Sequence, residues 1–163
     1  MNNKEKYRIF CEKEESISIF SQPWWLDLVA GNSWDVCLVE EDGNIIATMP
    51  FFLKKNYGFK FIYQPILTQN LGPWFIEFQC RENRKILKQK KIMNLLIEQL
   101  PKYDFFYQDW QYEQNNWLPF YWHGFDQTTN YTYVIEDISN LKLVWNNFDD
   151  RIKREIRKSE DKY

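Results

Sequence analysis

The chain has 163 residues, a length that suits one domain and needs no disulfide or metal to complete its core. Its net charge of −2 provides no overall attraction for nucleic acid or anionic membranes. The polar amino terminus predicts no secretory signal, and apolar runs of about five residues are far short of the roughly 20 that cross a bilayer. Three widely spaced cysteines, Cys11, Cys37 and Cys80, favour reduced thiols in a cytoplasmic protein.

A short amphipathic helix is predicted over residues 22–30. Pro23 suits the first turn of a helix, and Trp24, Trp25 and Leu28 follow at helical spacing. Gly31 then provides the end of the helix.

Three strands follow the first helix. Trp34, Val36 and Leu38 alternate with polar or small residues, and the Asp42-Gly43 pair between two apolar runs predicts a hairpin with a second strand over 45–53. Pro50 either ends that strand or places it at a sheet edge, because proline has no N–H to donate. The alternating aromatic residues of 59–63 predict the third strand, and the Gly-Pro pair within 69–75 predicts a turn.

The second half continues with a helix over 81–100, a strand over 104–112, a short aromatic segment over 118–122 and a strand over 129–135. Apolar residues from Leu141 to Ile156 then recur at intervals of three and four, which predicts one long amphipathic helix nearly to the end. This order predicts a mixed α/β (α+β) fold with a largely antiparallel sheet.

Common catalytic motifs are not found. The glycines are scattered, the nearest two being Gly31 and Gly43, whereas phosphate-binding loops need clustered glycines. The single histidine, His123, lies between Trp122 and Gly124 at a predicted turn, where a structural role is favoured over a catalytic triad or a zinc site. The sequence therefore predicts no catalytic, cofactor-binding or metal-binding residue in this chain.

The carboxyl-terminal helix is the most informative charged segment. Its cations Arg151, Arg154, Lys158 and Lys162 fall on one face, with Lys153 and Arg157 on a neighbouring stripe. Arginine suits carboxylates and phosphates, so this face is a candidate anion-binding site. A solvated helix whose cations complement the helix dipole is the alternative interpretation.

The segment from 151 to 160, RIKREIRKSE, resembles the R-x-x-I-R-K-A-E signature of Fem-type peptidoglycan-bridge aminoacyltransferases in the GNAT acyltransferase superfamily, with Ser159 in place of alanine. Other pieces fit in order: SQPWW at 21–25 is similar to the opening helix, DGNIIATMP at 42–50 to the G-x-x-x-A-x-x-P hairpin, Gly72-Pro73 to the central turn, and TYVIED at 132–137 to the strand before the signature. The resemblance covers nearly the whole chain.

The resemblance implies a GNAT-like fold, with 1–138 as the first of two subdomains, 139–163 as the connecting helix, and the second subdomain missing. It implies transfer of an acyl or aminoacyl group from acyl-CoA or aminoacyl-tRNA to an amine, often on a cell-wall precursor. It also implies that Arg154, Arg157 and Lys158 bind an anionic substrate, with Arg151 the weaker candidate because Glu155 lies one turn away. This chain alone is then expected to be inactive.

Two other interpretations remain open from the sequence. The chain could be a ligand-binding module whose exposed aromatic rings stack on a sugar or a base. It could also be a structural half that docks onto a partner chain. A downstream reading frame that encodes a second α/β subdomain would favour the acyltransferase over both.

Overall fold

The structure is a computed structural model that describes residues 1–135 and 137–160. The chain divides into two compact units, Met1–Gln127 and Thr128–Tyr163. Helices and strands of both types occur, and the sheet is mostly antiparallel, so the predicted mixed α/β class is confirmed.

The first unit begins with a helix that the sequence prediction missed, α1 (Asn3–Cys11). Asn2 accepts a hydrogen bond from the backbone N–H of Glu5, and the Glu5 carboxylate accepts one from the backbone N–H of Asn2. This reciprocal cap is visible in the sequence as an Asn followed three residues later by Glu. The helix matters for the fold because its Tyr7 is fully buried.

The second helix, α2 (Pro23–Ala30), confirms the prediction for residues 22–30. Pro23 occupies the first turn, and Gly31 ends the helix with a φ of 56°, a conformation that favours glycine. Short 3₁₀ turns at Ile19–Ser21 and Gly31–Ser33 flank it.

The predicted hairpin is also confirmed, as β1 (Trp34–Glu41) and β2 (Asn44–Asn56). Asp42 and Gly43 both have positive φ, which is the type I′ geometry that matches the twist of the two strands. Trp34, Val36 and Leu38 pack with Tyr7 and Leu26 on one side of β1. Residues Cys37 and Val39 pack into the core on the other side, so both faces of this strand are buried.

Pro50 neither ends β2 nor lies at the edge of the sheet. On one side β2 pairs with β1 over residues 44–52, and Pro50 itself lies opposite Val36. On the other side β2 pairs with β4 (Trp74–Phe75) at 47–48 and with β3 (Phe59–Tyr63) at 52–56. The carbonyl of Pro50 faces the gap between these partners and accepts a hydrogen bond from Gln108 (2.9 Å). In an extended residue the nitrogen faces the same side as the carbonyl, so the missing N–H removes no ladder bond.

The sheet is completed by β5 (Phe105–Phe106), which pairs parallel to β3 and gives the order β1-β2-β3-β5. The sequence predicted a strand over 104–112, so the observed strand is much shorter. The backbone N–H of Tyr107 still donates to the carbonyl of Ile62 on β3 (2.8 Å), and farther along an isolated bridge joins Trp110 to Leu71.

Side chains occupy the outer edge of β1. The amide of Gln99 both accepts from the N–H of Leu38 (3.1 Å) and donates to its carbonyl (2.9 Å). Asn3 donates to the carbonyl of Val36, and Lys4 donates to that of Trp34. These contacts satisfy groups that would otherwise be free to pair with another strand.

The long helix α3 (Glu82–Glu98) confirms the prediction for residues 81–100 and covers one face of the sheet. Ile92, Met93, Leu96 and Ile97 are buried and pack with β1, β2 and Phe120. Phe120 belongs to α4 (Leu118–Trp122), the short aromatic segment that the sequence predicted, and Gly124 follows it with a φ of 84°.

The second unit differs from the prediction in two ways. Residues 129–135 form no strand: in the described part of the chain they have no ladder partner, and Tyr131 and Tyr133 are almost completely exposed. The predicted single long helix is also wrong, because it divides into α5 (Leu141–Asn147) and α6 (Asp150–Glu160). Phe148 is extended, and the Asp149 side chain, just before the new helix, accepts a hydrogen bond from the backbone N–H of Arg151 and so caps that helix. Aspartate favours this capping role over a helix interior.

Candidate anion-binding site

The predicted anion-binding residues all lie on α6. The new helix begins directly after Asp149, and the backbone N–H of Lys153 donates to the carbonyl of Asp149 (3.1 Å). The cations then follow at helical spacing from Arg151 onwards. Lys162, the fourth member of the predicted stripe, lies outside the described residues.

Glu155 pairs with two of the candidate cations. Its carboxylate lies 3.1 Å from the ammonium of Lys158 and 3.5 Å from Nε of Arg154. The sequence suggested that Glu155 would satisfy Arg151, but the structure places it on the other two residues. All three side chains of this group are more than half exposed, so the pairs are worth little in water.

Arg157 makes a different contact. Its guanidinium lies 5.6 Å from the ring centroid of Trp145 on α5, within range of a cation–π interaction. Trp145 also packs edge-to-face on Phe148, so the guanidinium rests on a small aromatic cluster. Its hydrogen-bond donors are therefore compatible with an anion in the plane of the guanidinium while the ring supports one face.

Lys153 has a structural position that the sequence did not reveal. It donates to the carbonyl of Asn146 (3.1 Å) at the end of α5 and lies 3.8 Å from Asp150, with 17% of its side chain exposed. Counted back from Ile156, the first arginine of the Fem-type signature falls on this lysine. Arg157 and Lys158 match the signature directly, whereas Arg154 falls at one of its variable positions, so the candidate role of Arg154 depends on the charge of the helix face and not on the resemblance.

The candidate site is therefore a solvent-exposed cationic helix face. No residue is buried among 128–135 and 137–160, so none of these described residues shields an anion from water. Such a face can attract phosphate or carboxylate groups by charge, and that attraction weakens as salt screens it.

His123 lies at the end of α4, where its Nδ1 is 2.9 Å from the carbonyl of Pro119. This contact holds the ring against its own helix. In the described residues, no group of three His, Cys, Asp or Glu side chains could hold a metal.

Burial raises the pKa of the Cys37 thiol to about 12 and that of the Cys11 thiol to about 11, so both are poor nucleophiles at neutral pH.

Gly72 has a packing role. Its φ is 107°, and a Cβ at this position would lie 2.5 Å from Cδ1 of Trp110. The glycine thus allows the chain to pass close to an aromatic ring.

A cavity of about 20 Å³ borders the turn at Gly72 and is large enough for about one water. A second site, an open groove of about 580 Å³, runs beside Trp34, Phe51 and Lys54.

In the described residues no helix combines the length and apolar character needed to cross a membrane. Comparison of the chain with models of protein families, with curated proteins and with solved structures finds no match.

Proposed function

We propose that this chain is the first subdomain and connecting helix of a Fem-type acyltransferase of the GNAT superfamily. In this proposal the reaction needs a second GNAT-like subdomain or a partner chain. The ester of aminoacyl-tRNA or the thioester of acyl-CoA is cleaved as an amide forms on an acceptor amine, the amine loses a proton, and tRNA or CoA is released. A cell-wall precursor is the proposed acceptor.

The observation that supports the proposal is the unburied state of the second unit. Its described residues include many large apolar side chains but none that is buried. At least 40% of each of the following is exposed: Tyr131, Tyr133, Val134, Ile135, Ile138, Leu141, Leu143 and Ile152. So much apolar surface is unusual in a finished monomer and favours a segment that packs against another subdomain or chain. The signature residues Arg157 and Lys158 lie in the same unit.

Transfer assays test the proposal. The chain alone should give no enzyme-dependent transfer from acetyl-CoA or aminoacyl-tRNA to a peptidoglycan precursor. The same chain extended by the sequence that follows it in its gene should give transfer. Activity of the chain alone would contradict the need for a partner, and a downstream sequence without an α/β subdomain would contradict the assignment to this family.

The cations of α6 provide a sharper test in the active form. Arg157→Ala or Arg154→Ala should weaken binding of a phosphate-bearing substrate by about 1–3 kcal/mol, the range for hydrogen bonds to charged groups. The loss should shrink at high salt, because screening already weakens the original contact. Lys142→Ala is the matched control, since it removes an exposed cation from α5.

Stability separates a binding role from a structural one for these arginines. Both are on the surface and Arg157 also contacts the ring of Trp145, so the free energy of unfolding should change by no more than about 1 kcal/mol. If the arginine variants unfold early but bind normally once folded, the residues are structural and the solvated-helix interpretation is correct.

A further inference from the structure

The solvent-facing side of α3 alternates cations with exposed leucines. Arg84, Leu87, Lys88, Lys91 and Leu95 follow the spacing of a single helix face. Leu87 is 60% exposed and Leu95 46%, although the opposite face of the helix already supplies the core with four apolar residues. These two leucines therefore contribute little to the fold and are available to a partner.

The neighbouring helix α4 extends the same surface. The ammonium of Lys90 lies 4.1 Å from the ring centroid of Trp122, which joins the two helices at this point. Trp122 and Tyr121 are each more than half exposed, and Leu118 is nearly so. We call the side chains of Arg84, Leu87, Lys90, Lys91 and Trp122 the α3–α4 surface.

The charge of this segment differs from that of the chain as a whole. Residues 81–98 contain six cations and only two acidic residues, Glu82 and Glu98; the cations are Arg81, Arg84, Lys85, Lys88, Lys90 and Lys91. Lys88 pairs with Glu41 at 2.6 Å, and Lys85 lies 4.0 Å from Glu82. Arg84 and Lys91 make no ion pair with any residue that the structure describes. Positive charge is therefore concentrated and only partly neutralised here, in a chain whose net charge is −2.

We propose that the α3–α4 surface binds peripherally to membranes that contain anionic lipids. Exposed leucines gain free energy from acyl chains, tryptophan and tyrosine favour the headgroup level, and lysine stems extend along apolar surface while their ammonium groups reach phosphates. A nucleic-acid backbone would use the cations but gain little from Leu87 and Leu95. A peptide that binds in a groove is not favoured, because neither cavity described above is lined by residues of α3 or α4.

This surface does not depend on the acyltransferase proposal, because it involves the first unit and none of the α6 residues. Net charge alone gave no reason to expect membrane binding. The signal is local: the sequence places cations and leucines on one face of α3, and the structure shows that this face is exposed while the opposite face is packed.

Vesicle flotation of the full chain tests the proposal. Vesicles of phosphatidylcholine with 30% phosphatidylglycerol, a composition chosen to be about one-third anionic, should carry the protein at low salt, and pure phosphatidylcholine vesicles should not. Binding should weaken as salt rises, because the attraction is partly electrostatic. Absence of binding to the anionic vesicles, or equal binding to both kinds, would overturn the proposal.

Matched variants locate the surface. Each cation near a membrane is worth about fivefold in partitioning, so Lys90→Gln with Lys91→Gln should lower the partition coefficient by about 25-fold. Lys54→Gln with Lys55→Gln removes the same charge from the exposed end of β2 and should have a much smaller effect. An equal loss in this control would show that net charge, and not the α3–α4 surface, drives binding.

Replacing exposed leucines tests the apolar contribution to membrane binding. Leu87→Ser should lower partitioning by about tenfold, whereas Leu28→Ser, on an exposed position of α2, should leave it unchanged. Circular dichroism checks that each variant is folded. If Leu87→Ser binds as well as the original chain while the lysine variant does not, the surface recognises charge alone, and the membrane proposal is wrong.

Discussion

The two units of this chain contain similar apolar residues, but only the first unit buries them. Unit Met1–Gln127 has two buried clusters, and Leu26, Met49 and Leu96 within them are completely shielded from solvent. Unit Thr128–Tyr163 is also rich in tyrosine, leucine and isoleucine, yet none of its described residues is buried. An apolar pattern forms a core only where a second apolar face is present to cover it.

The same contrast applies to charge. On α6 three cations have an acidic neighbour on their own helix: Lys153 lies near Asp150, and Glu155 lies beside Arg154 and Lys158. On α3 the pairing is sparser, and Arg84 and Lys91 have no ion pair with a described residue. Helices that look alike as basic amphipathic segments thus present different surfaces.

Core truncation gives the largest expected difference between the units. Leu96→Ala should lower the free energy of unfolding by about 2–5 kcal/mol, because it removes a fully buried side chain and leaves a cavity. Leu141→Ala, at a position that is 73% exposed, should change it by less than about 0.5 kcal/mol. Denaturant unfolding followed by circular dichroism measures both. Similar losses would mean that the second unit has a core of its own.

Alanine substitutions at two glycines show how tightly the first unit is packed at each position. Gly72→Ala should cost about 2–4 kcal/mol, since it combines backbone strain at positive φ with a clash against Trp110. Gly124→Ala has the same sign of φ but open space around the new methyl group, so it should cost only about 1 kcal/mol. Equal losses would show that the ring of Trp110 moves aside freely.

A smaller, pH-dependent effect is expected where α1 meets α2. Arg8 donates two hydrogen bonds of 2.7 Å to Asp27, and Trp34 donates a third, which together hold the pKa of Asp27 below its ordinary value. The carboxylate is partly exposed, so its contribution should be about 1 kcal/mol or less. Because the folded pKa is lowered, this stability is present above the ordinary value of about 3.9 and is lost as pH falls through the folded pKa.

The measurement for this prediction is the difference in unfolding free energy between the original chain and Asp27→Asn, followed from pH 7 to pH 2. The difference should be constant near neutral pH and shrink in acid. A difference that stays the same at pH 2 would show that the charge of Asp27 does not carry the effect.

Local signals in the sequence were sufficient to predict most helices and strands of the first unit. Pro23 and Gly31 mark the ends of α2, Asp42-Gly43 marks the hairpin, and the apolar spacing of 81–100 marks α3. The position of Pro50 in the middle of β2 was harder to predict. The strand accommodates a proline there because of a gap between β3 and β4, which no local pattern reveals. The helix α1 was missed although Asn2 and Glu5 carry a capping signal, since the surrounding residues are mostly polar.

The second unit shows where pattern fails. Residues 129–135 alternate as a strand should, but a strand also needs a neighbour, and the described chain gives these residues none. The spacing from Leu141 to Ile156 is helical throughout, yet the capping preference of Asp149 outweighs it and divides the helix. For the candidate site, the sequence identified the α6 cations but could not show that Glu155 pairs with Arg154 and Lys158.

Amide hydrogen exchange of the full chain tests the central contrast most directly. Strong protection is expected in the β2 residues that pair with β1 and in the buried turns of α3, because opening them requires unfolding of the first unit. Rapid exchange is expected throughout α5 and α6, whose hydrogen bonds are exposed to solvent. Protection of α6 equal to that of α3 would contradict the claim that the second unit has no core of its own.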